Sequence, residues 1–320
     1  MAKTLENLDY SCKWVSELGC IKGCLDHLGV KASDAWVYGA SGHAFIINMH
    51  DEMCPSGPTA WNSEGMLPLV ENIGCKIEGM HSHKSAPDFA EKKKEAWKFT
   101  KKAIDSGYPC FGWELAIPEY YVVYGYDDER YLFKGPAMNP ETKPRPWQEL
   151  GDAETGVLYV SQVKPAEAKD DSALVKEALA FAVEHAKDSK KWTFPRYMTG
   201  LGAYDNWIKA LGSDSANGFG AAYNAEVWHE CRHYAVEFLK EARGRLGKPG
   251  LNPLFDEAIS HYEIVRRSLR EVADVFPFLS FDPAHIKDAG RREKASACLK
   301  AARDAEAKGL QTLENIAKAL

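Results

Sequence analysis

Between Ser11 and Gly29 the chain reads SCKWVSELGCIKGCLDHLG, and wound as an α-helix it sets Ser16, Cys20, Cys24 and His27 in one narrow sector. A thiol so placed could attack a carbonyl carbon if a base drew off its proton, because the thiolate is the nucleophile. For Cys20 the sequence offers His43 as that base, in the run Ser41-Gly42-His43 at the head of an apolar stretch. Each residue also has a plainer reading. Cys20 and Cys24 would be small residues easing helix packing, and His43 the polar start of a buried strand. Cys54, in the turn-rich run from His50 to Trp61 with Pro55 and Pro58, either lines a site or belongs to an ordered loop.

A second constellation, His229-Glu230-Cys231-Arg232-His233, matches H-E-x-x-H, in which two histidines one turn apart bind zinc and the glutamate activates a metal-bound water. Against it, Arg232 brings a charge to an inner position, and the apolar stripe Val227, Cys231, Ala235 and Phe238 faces away from the histidines. A solvated polar face is the simpler account, and Glu257 or His261 would have to supply a third ligand. No cofactor is otherwise indicated. His81 and His83 look like a surface turn, and Gly39-Ala-Ser-Gly42 lacks the lysine and following helix of a phosphate loop.

The elements that must carry these residues follow from periodicity. Leu18, Ile21, Leu25 and Leu28 predict a helix from about 15 to 28 that Gly29 ends, while Gly19 and Gly23 leave room for another element to cross it. Residues 36–45 read as an aromatic and glycine-rich loop running into a buried strand at 45–47. A helix near 63–73, a strand at 75–80 and a lysine-rich amphipathic helix at 88–106 follow. Strands at 109–116, 119–126 and 131–134, with a hairpin turn at 127–129, precede a last strand at 156–163. After Pro165 only helices are expected, near 171–188, 197–211, 218–244, 254–275 and 290–318, with Tyr204, Trp207, Tyr223 and Trp228 as their core. The expectation is an α+β domain over 1–165 with an antiparallel sheet, followed by an all-helical domain over 166–320.

Composition narrows the function classes. A formal charge of −6 with interspersed lysines leaves no basic field to gather phosphates, so nucleic acid is not an expected partner. The start MAKTLENLDY has no secretory pattern and no apolar run has membrane-spanning length, so a cytoplasmic protein without membrane partners is expected. In that compartment the eight cysteines are expected as free thiols, mostly structural.

Three segments carry a resemblance: the helix ending His27-Leu28-Gly29, the loop Tyr38-Gly-Ala-Ser-Gly-His-Ala-Phe45, and Pro118-Glu-Tyr-Tyr-Val-Val-Tyr-Gly-Tyr-Asp-Asp128. In these the first 165 or so residues resemble the N-terminal domain of the butirosin-biosynthesis protein H family, and the helical half, with Gly200 to Trp207, looks like an extension seen in some relatives. The resemblance implies a papain-like, double-glycine-peptidase-like fold, a thiol at the start of the central helix, a histidine on a facing strand and a group that orients it. Counted about three and a half turns back from the glycine, the nucleophile's place holds Ser16, the histidine's holds Glu119 with Tyr120 next, and the orienting acid's falls in Lys134-Gly135-Pro136.

Two readings follow. In the first, the thiol has moved by a turn to Cys20 or Cys12. The protein is then a thiol-dependent acyltransferase or hydrolase acting on a small-molecule or carrier-protein-bound acyl substrate. Cys20 is its nucleophile, His43 its base and Glu119 a polarising or orienting partner. Ser16, Cys24, Ser41, Gly42, Cys54 and Tyr120 line the substrate site, and neither metal nor cofactor is needed. In the second, the fold has lost its triad and binds a small ligand in an interdomain cleft. A homo-oligomer is compatible with either.

Overall fold

The structure is a computed structural model and describes residues 2–320. Its elements are β1 (Lys3–Thr4), α1 (Ser16–His27), α2 (Asp34–Ala40), β2 (Asn48–His50), α3 (Met66–Glu71), β3 (Cys75–His83), α4 (Phe89–Asp105), β4 (Cys110–Trp113) and β5 (Tyr120–Asp127). There follow β6 (Arg130–Lys134), β7 (Arg145–Pro146), β8 (Val157–Pro165), α5 (Asp171–Lys187), α6 (Ser189–Trp192), β9 (Tyr197–Thr199), α7 (Gly200–Leu211), α8 (Gly218–Leu246), α9 (Asn252–Val275) and α10 (Ala289–Ala319). They form two compact units, Met1–Ser33 with Ile73–Ala168, and Asp34–Asn72 with Lys169–Leu320.

The first unit is an antiparallel sheet in the order β3-β8-β4-β5-β6-β7, with β1 added to β5. Helix α4 turns one face inward, where Phe89, Ala96, Trp97 and Ile104 pack with Tyr121, Val123, Tyr131, Phe133 and Val160 of the sheet. Helix α1 has nine buried residues among its twelve, and Gly29 closes it at φ +73°. The gap expected beside its glycines is used by the chain's own start: a Cβ on Gly19 would collide with the Ser11 carbonyl oxygen, and one on Gly23 with that of Asp9.

The second unit is helical apart from the two-stranded pairing of β2 with β9. Its centre is a buried ion pair. Arg232 of α8 donates from Nε (2.9 Å) and Nη2 (3.0 Å) to Glu306 of α10, and from Nη1 to the carbonyls of Ala44 (3.0 Å) and Ile46 (2.8 Å). The Tyr204 and Tyr262 hydroxyls also donate to Glu306, at 3.1 and 3.3 Å. Every donor of that guanidinium fork that faces an acceptor is used, as a buried charge requires.

Four expectations are corrected. The run 34–40 is a helix, not a loop, and the apolar stretch behind it forms a short 3₁₀ turn at His43–Phe45 instead of a strand. Residues 35–40 are all buried, so the run carries no polar face from which to read a period. The boundary near 165 does not separate the units by itself, because 34–72 belongs to the second. The helical half also holds one strand, β9. Among the described residues no helix is long and apolar enough to cross a membrane.

Candidate functional site

In the first unit, Ser16 is the first residue of α1, where the helix presents its positive end. Its hydroxyl donates to the Glu119 carboxylate and accepts the backbone N–H of Tyr120 at 3.0 Å. Sequence reasoning had placed Ser16, Glu119 and Tyr120 near one another only through the resemblance; the folded chain joins them by hydrogen bonds. Ser16 is buried, and its neighbour Glu17 is buried too. Burial pushes the Glu17 carboxyl up to about 8, so it carries its proton at neutral pH.

The turn that delivers Glu119 is unusual. Trp113 pairs with Tyr120 at the end of the β4–β5 ladder, and one step further Glu114 N–H donates to the Glu119 carbonyl at 2.8 Å. Glu114 is buried in the left-handed region at φ +57°, which costs an L-residue roughly 1–2 kcal/mol. Its carboxylate accepts the Thr155 hydroxyl and, at 3.4 Å, the Thr155 N–H, while Trp113 Nε1 donates to Thr155 Oγ1 at 2.9 Å. Ile117 N–H donates to the Tyr121 hydroxyl at 3.1 Å, which donates in turn to the Pro136 carbonyl at 3.2 Å.

Cys20 does not have the surroundings of a nucleophile. Burial, then Cys24, Glu17 and Glu119, all raise its pKa well above the ordinary thiol value, so it stays a thiol. Cys24 is likewise raised, first by burial and then by Cys110 and Cys75. The reading of both as small packing residues fits these environments.

His43 lies in the second unit, as do Ser41, Gly42 and Cys54. Its ring is buried beside Trp61 (centroids 5.9 Å), Trp228 (6.3 Å) and Tyr38 (6.4 Å), with Nδ1 3.5 Å from the Cys231 sulfur. Burial, with a smaller part from the Arg232 charge, lowers its pKa to about 3. The Ser41 hydroxyl donates to the Tyr38 carbonyl at 2.9 Å and accepts His43 N–H at 3.3 Å, and Gly42 takes φ +74° against Phe181. These residues shape the turn into His43–Phe45. Cys54 sits apart from them in a hydroxyl chain, its sulfur 2.8 Å from Ser56 Oγ, which is 2.6 Å from the Tyr197 hydroxyl.

The H-E-x-x-H helix is built for packing. Arg232, the charge at its inner position, is the buried partner of Glu306, and Glu230 accepts the Tyr38 hydroxyl. Burial lowers the His229 pKa to about 4, with the Arg270 and Arg266 charges pushing the same way; burial, and then Arg266, also lower His233. Two cationic guanidiniums beside the imidazoles disfavour a metal cation there. One trio, His50, Asp51 and Glu52, has potential ligand atoms within 4.8 Å of one another, but Arg196 Nη2 lies 2.9 Å from both Asp51 and Glu52 and fills the cation's role.

Sequence reasoning missed Glu17, Glu114 and Thr155. The available signal was the pair of acids bracketing Leu115-Ala-Ile-Pro118 between two strands, which places both carboxylates at one hairpin end. No family model matches the chain, and no curated protein matches it.

Proposed function

We propose that the chain is an acyl-transfer or hydrolytic enzyme of papain-like type in which the Ser16 hydroxyl is the nucleophile and the Glu119 carboxylate its base. The observation that carries this is the hydrogen bond from Ser16 to Glu119 at the first residue of α1. A hydroxyl needs an adjacent base to attack, and a helix N-terminus favours the negative charge that develops.

Ser16 Oγ bonds to the carbonyl carbon of a small-molecule or carrier-bound amide, ester or thioester as its proton passes to Glu119. The tetrahedral oxyanion forms at the positive end of α1. Collapse breaks the bond to the amine, alcohol or thiol, which leaves with the proton from Glu119. Water or a second acceptor then gives its proton to Glu119, attacks the acyl-serine and frees Ser16. The thiol-dependent form, with Cys20 attacking and His43 as base, is not favoured: Cys20 is held as a buried thiol, and His43 packs within the other unit's core.

A second reading, a ligand-binding protein without turnover, is favoured by one feature: the Ser16 hydroxyl is engaged on both sides, which also ties α1 to β5. Both readings are separated by treating the full chain with diisopropyl fluorophosphate and mapping the modified peptide. Modification at Ser16, lost in Ser16→Ala and slowed in Glu119→Gln, is the expected result. An unmodified Ser16, with a thermally stabilising acyl compound recovered unchanged, would establish the binding protein instead.

A further inference from the structure

The Ser16–Glu119 pair depends on a turn that should not hold its shape unaided. Glu114 and Glu119 lie one step beyond Trp113–Tyr120, the last pair of the β4–β5 ladder, and the Glu114 N–H donates to the Glu119 carbonyl at 2.8 Å. That bond closes the turn, so the backbone conformation at Glu114 fixes where the chain returns at Glu119. Glu114 adopts φ +57°, a conformation glycine takes freely and a glutamate takes only when its surroundings over-determine it. The surroundings here are Thr155, which bonds the carboxylate from both its hydroxyl and its N–H, and Trp113, whose indole N–H fixes the Thr155 hydroxyl at 2.9 Å. A buried carboxylate has to be satisfied, and Thr155 does so with two donors.

We propose that Glu114 is the positioning residue of this centre: clamped by Thr155, it holds the 114–119 turn in the conformation that presents the Glu119 carboxylate to the Ser16 hydroxyl. The inference rests on the reading of Ser16 and Glu119 as the reactive pair. Glu114 acts through Glu119 and does not touch the reacting atoms. A side chain used only to stabilise the fold would affect melting alone, whereas a positioning residue changes how Ser16 reacts and at which pH.

The test is the rate of Ser16 modification by diisopropyl fluorophosphate across pH in the full chain, with melting temperature recorded alongside. Thr155→Val removes the hydroxyl donor at nearly constant volume, and Glu114→Gly relaxes the backbone while removing the clamp. Both are expected to slow modification tenfold or more and to displace the pH profile. Glu114→Gln keeps an amide oxygen to accept the Thr155 hydroxyl and is expected to retain most of the wild-type rate. If Thr155→Val and Glu114→Gly match the wild-type rate and profile, the positioning role is overturned while the Ser16 reading stands. A wild-type protein unmodified at Ser16 overturns both. Should Glu114→Gly fail to fold, Thr155→Val decides, since Thr155 is only half-buried.

Discussion

Acid should destabilise the helical unit through His43 and His185. His185 is fully buried, neither ring nitrogen has a hydrogen-bond partner, and its neighbours are Trp61 (5.4 Å), Phe181 (6.0 Å) and Trp192 (6.0 Å). Burial, with the charges of His43 and Arg232 adding to it, lowers its pKa from 6.5 to about 3. A base with a depressed folded pKa is neutral in the fold and protonated in the unfolded chain between those values. Its stabilising contribution is therefore complete above pH 6.5 and is lost as pH falls toward 3. At pH 5 the unfolded imidazole lies about 1.5 units below its own pKa, which at 1.36 kcal/mol per unit is about 2 kcal/mol for each histidine. In urea this is a midpoint shift of roughly 1 M per histidine at a typical slope. The variant to compare is His185→Phe, which removes an unpartnered ring from an aromatic setting. Its loss of stability between pH 7.5 and pH 5, followed by tryptophan fluorescence, should be smaller than the wild type's by about 2 kcal/mol. The comparison cancels His229, whose lowered pKa adds to both proteins. Equal pH dependence in the two proteins would refute the reasoning.

The buried Arg232–Glu306 pair gives a second expectation: Arg232→Met or Glu306→Gln alone should cost about 3–5 kcal/mol in chemical denaturation, and Arg232→Met with Glu306→Leu should recover much of it, because a lone buried charge is worse than none. Glu17 works in the opposite sense to the histidines. Its raised carboxyl contributes stability that is complete below pH 4.5 and lost as pH rises through about 8, so Glu17→Gln should flatten the melting-temperature profile between those two values. Among the thiols, exposed Cys12 should take up iodoacetamide at pH 7.5 in the native protein while Cys20 and Cys24 remain unlabelled by mass spectrometry.

What could be read from the sequence was what periodicity and punctuation encode. Helix α1 with its glycine stop, the lysine-faced α4, the hairpin at 127–130 and the long C-terminal helices all carry a polar face or a turn signal. Segment 34–47 carries no polar face: its aromatic and glycine-rich run reads as a loop and its apolar end, 45–47, as a strand, because a wholly buried run shows no helical period. The site divides in the same way. Ser16 and Glu119 were legible as positions, but their hydrogen bond depends on a turn set by the φ of Glu114, and no residue type announces a left-handed glutamate. Arg232 was legible as an awkward charge on α8; its partner, 74 residues further on, was not.

The misread segment also bears on where the chain can be cut. A fragment 1–165, the domain that sequence composition suggests, would contain all of the sheet unit except its last few residues, together with 34–72, whose packing partners lie in the helical unit. Trp36 packs on Phe238 at 5.3 Å, Tyr38 on Tyr234 at 4.4 Å and Phe45 on Tyr262 at 5.2 Å, and the Ala44 and Ile46 carbonyls accept from Arg232. Without residues after 165, Trp36, Val37, Tyr38, Phe45, Ile46 and Ile47 would return to water. At roughly 1.5–3 kcal/mol for each, the loss is on the order of 10 kcal/mol, comparable with the whole stability of a domain. The fragment should therefore aggregate or bind a hydrophobic dye strongly. A chain in which 34–72 is replaced by a short flexible linker joining Ser33 to Ile73, ending at Ala168, should instead unfold cooperatively as a monomer. Cooperative, monomeric folding of 1–165 itself would show that 34–72 does not need the helices it packs against.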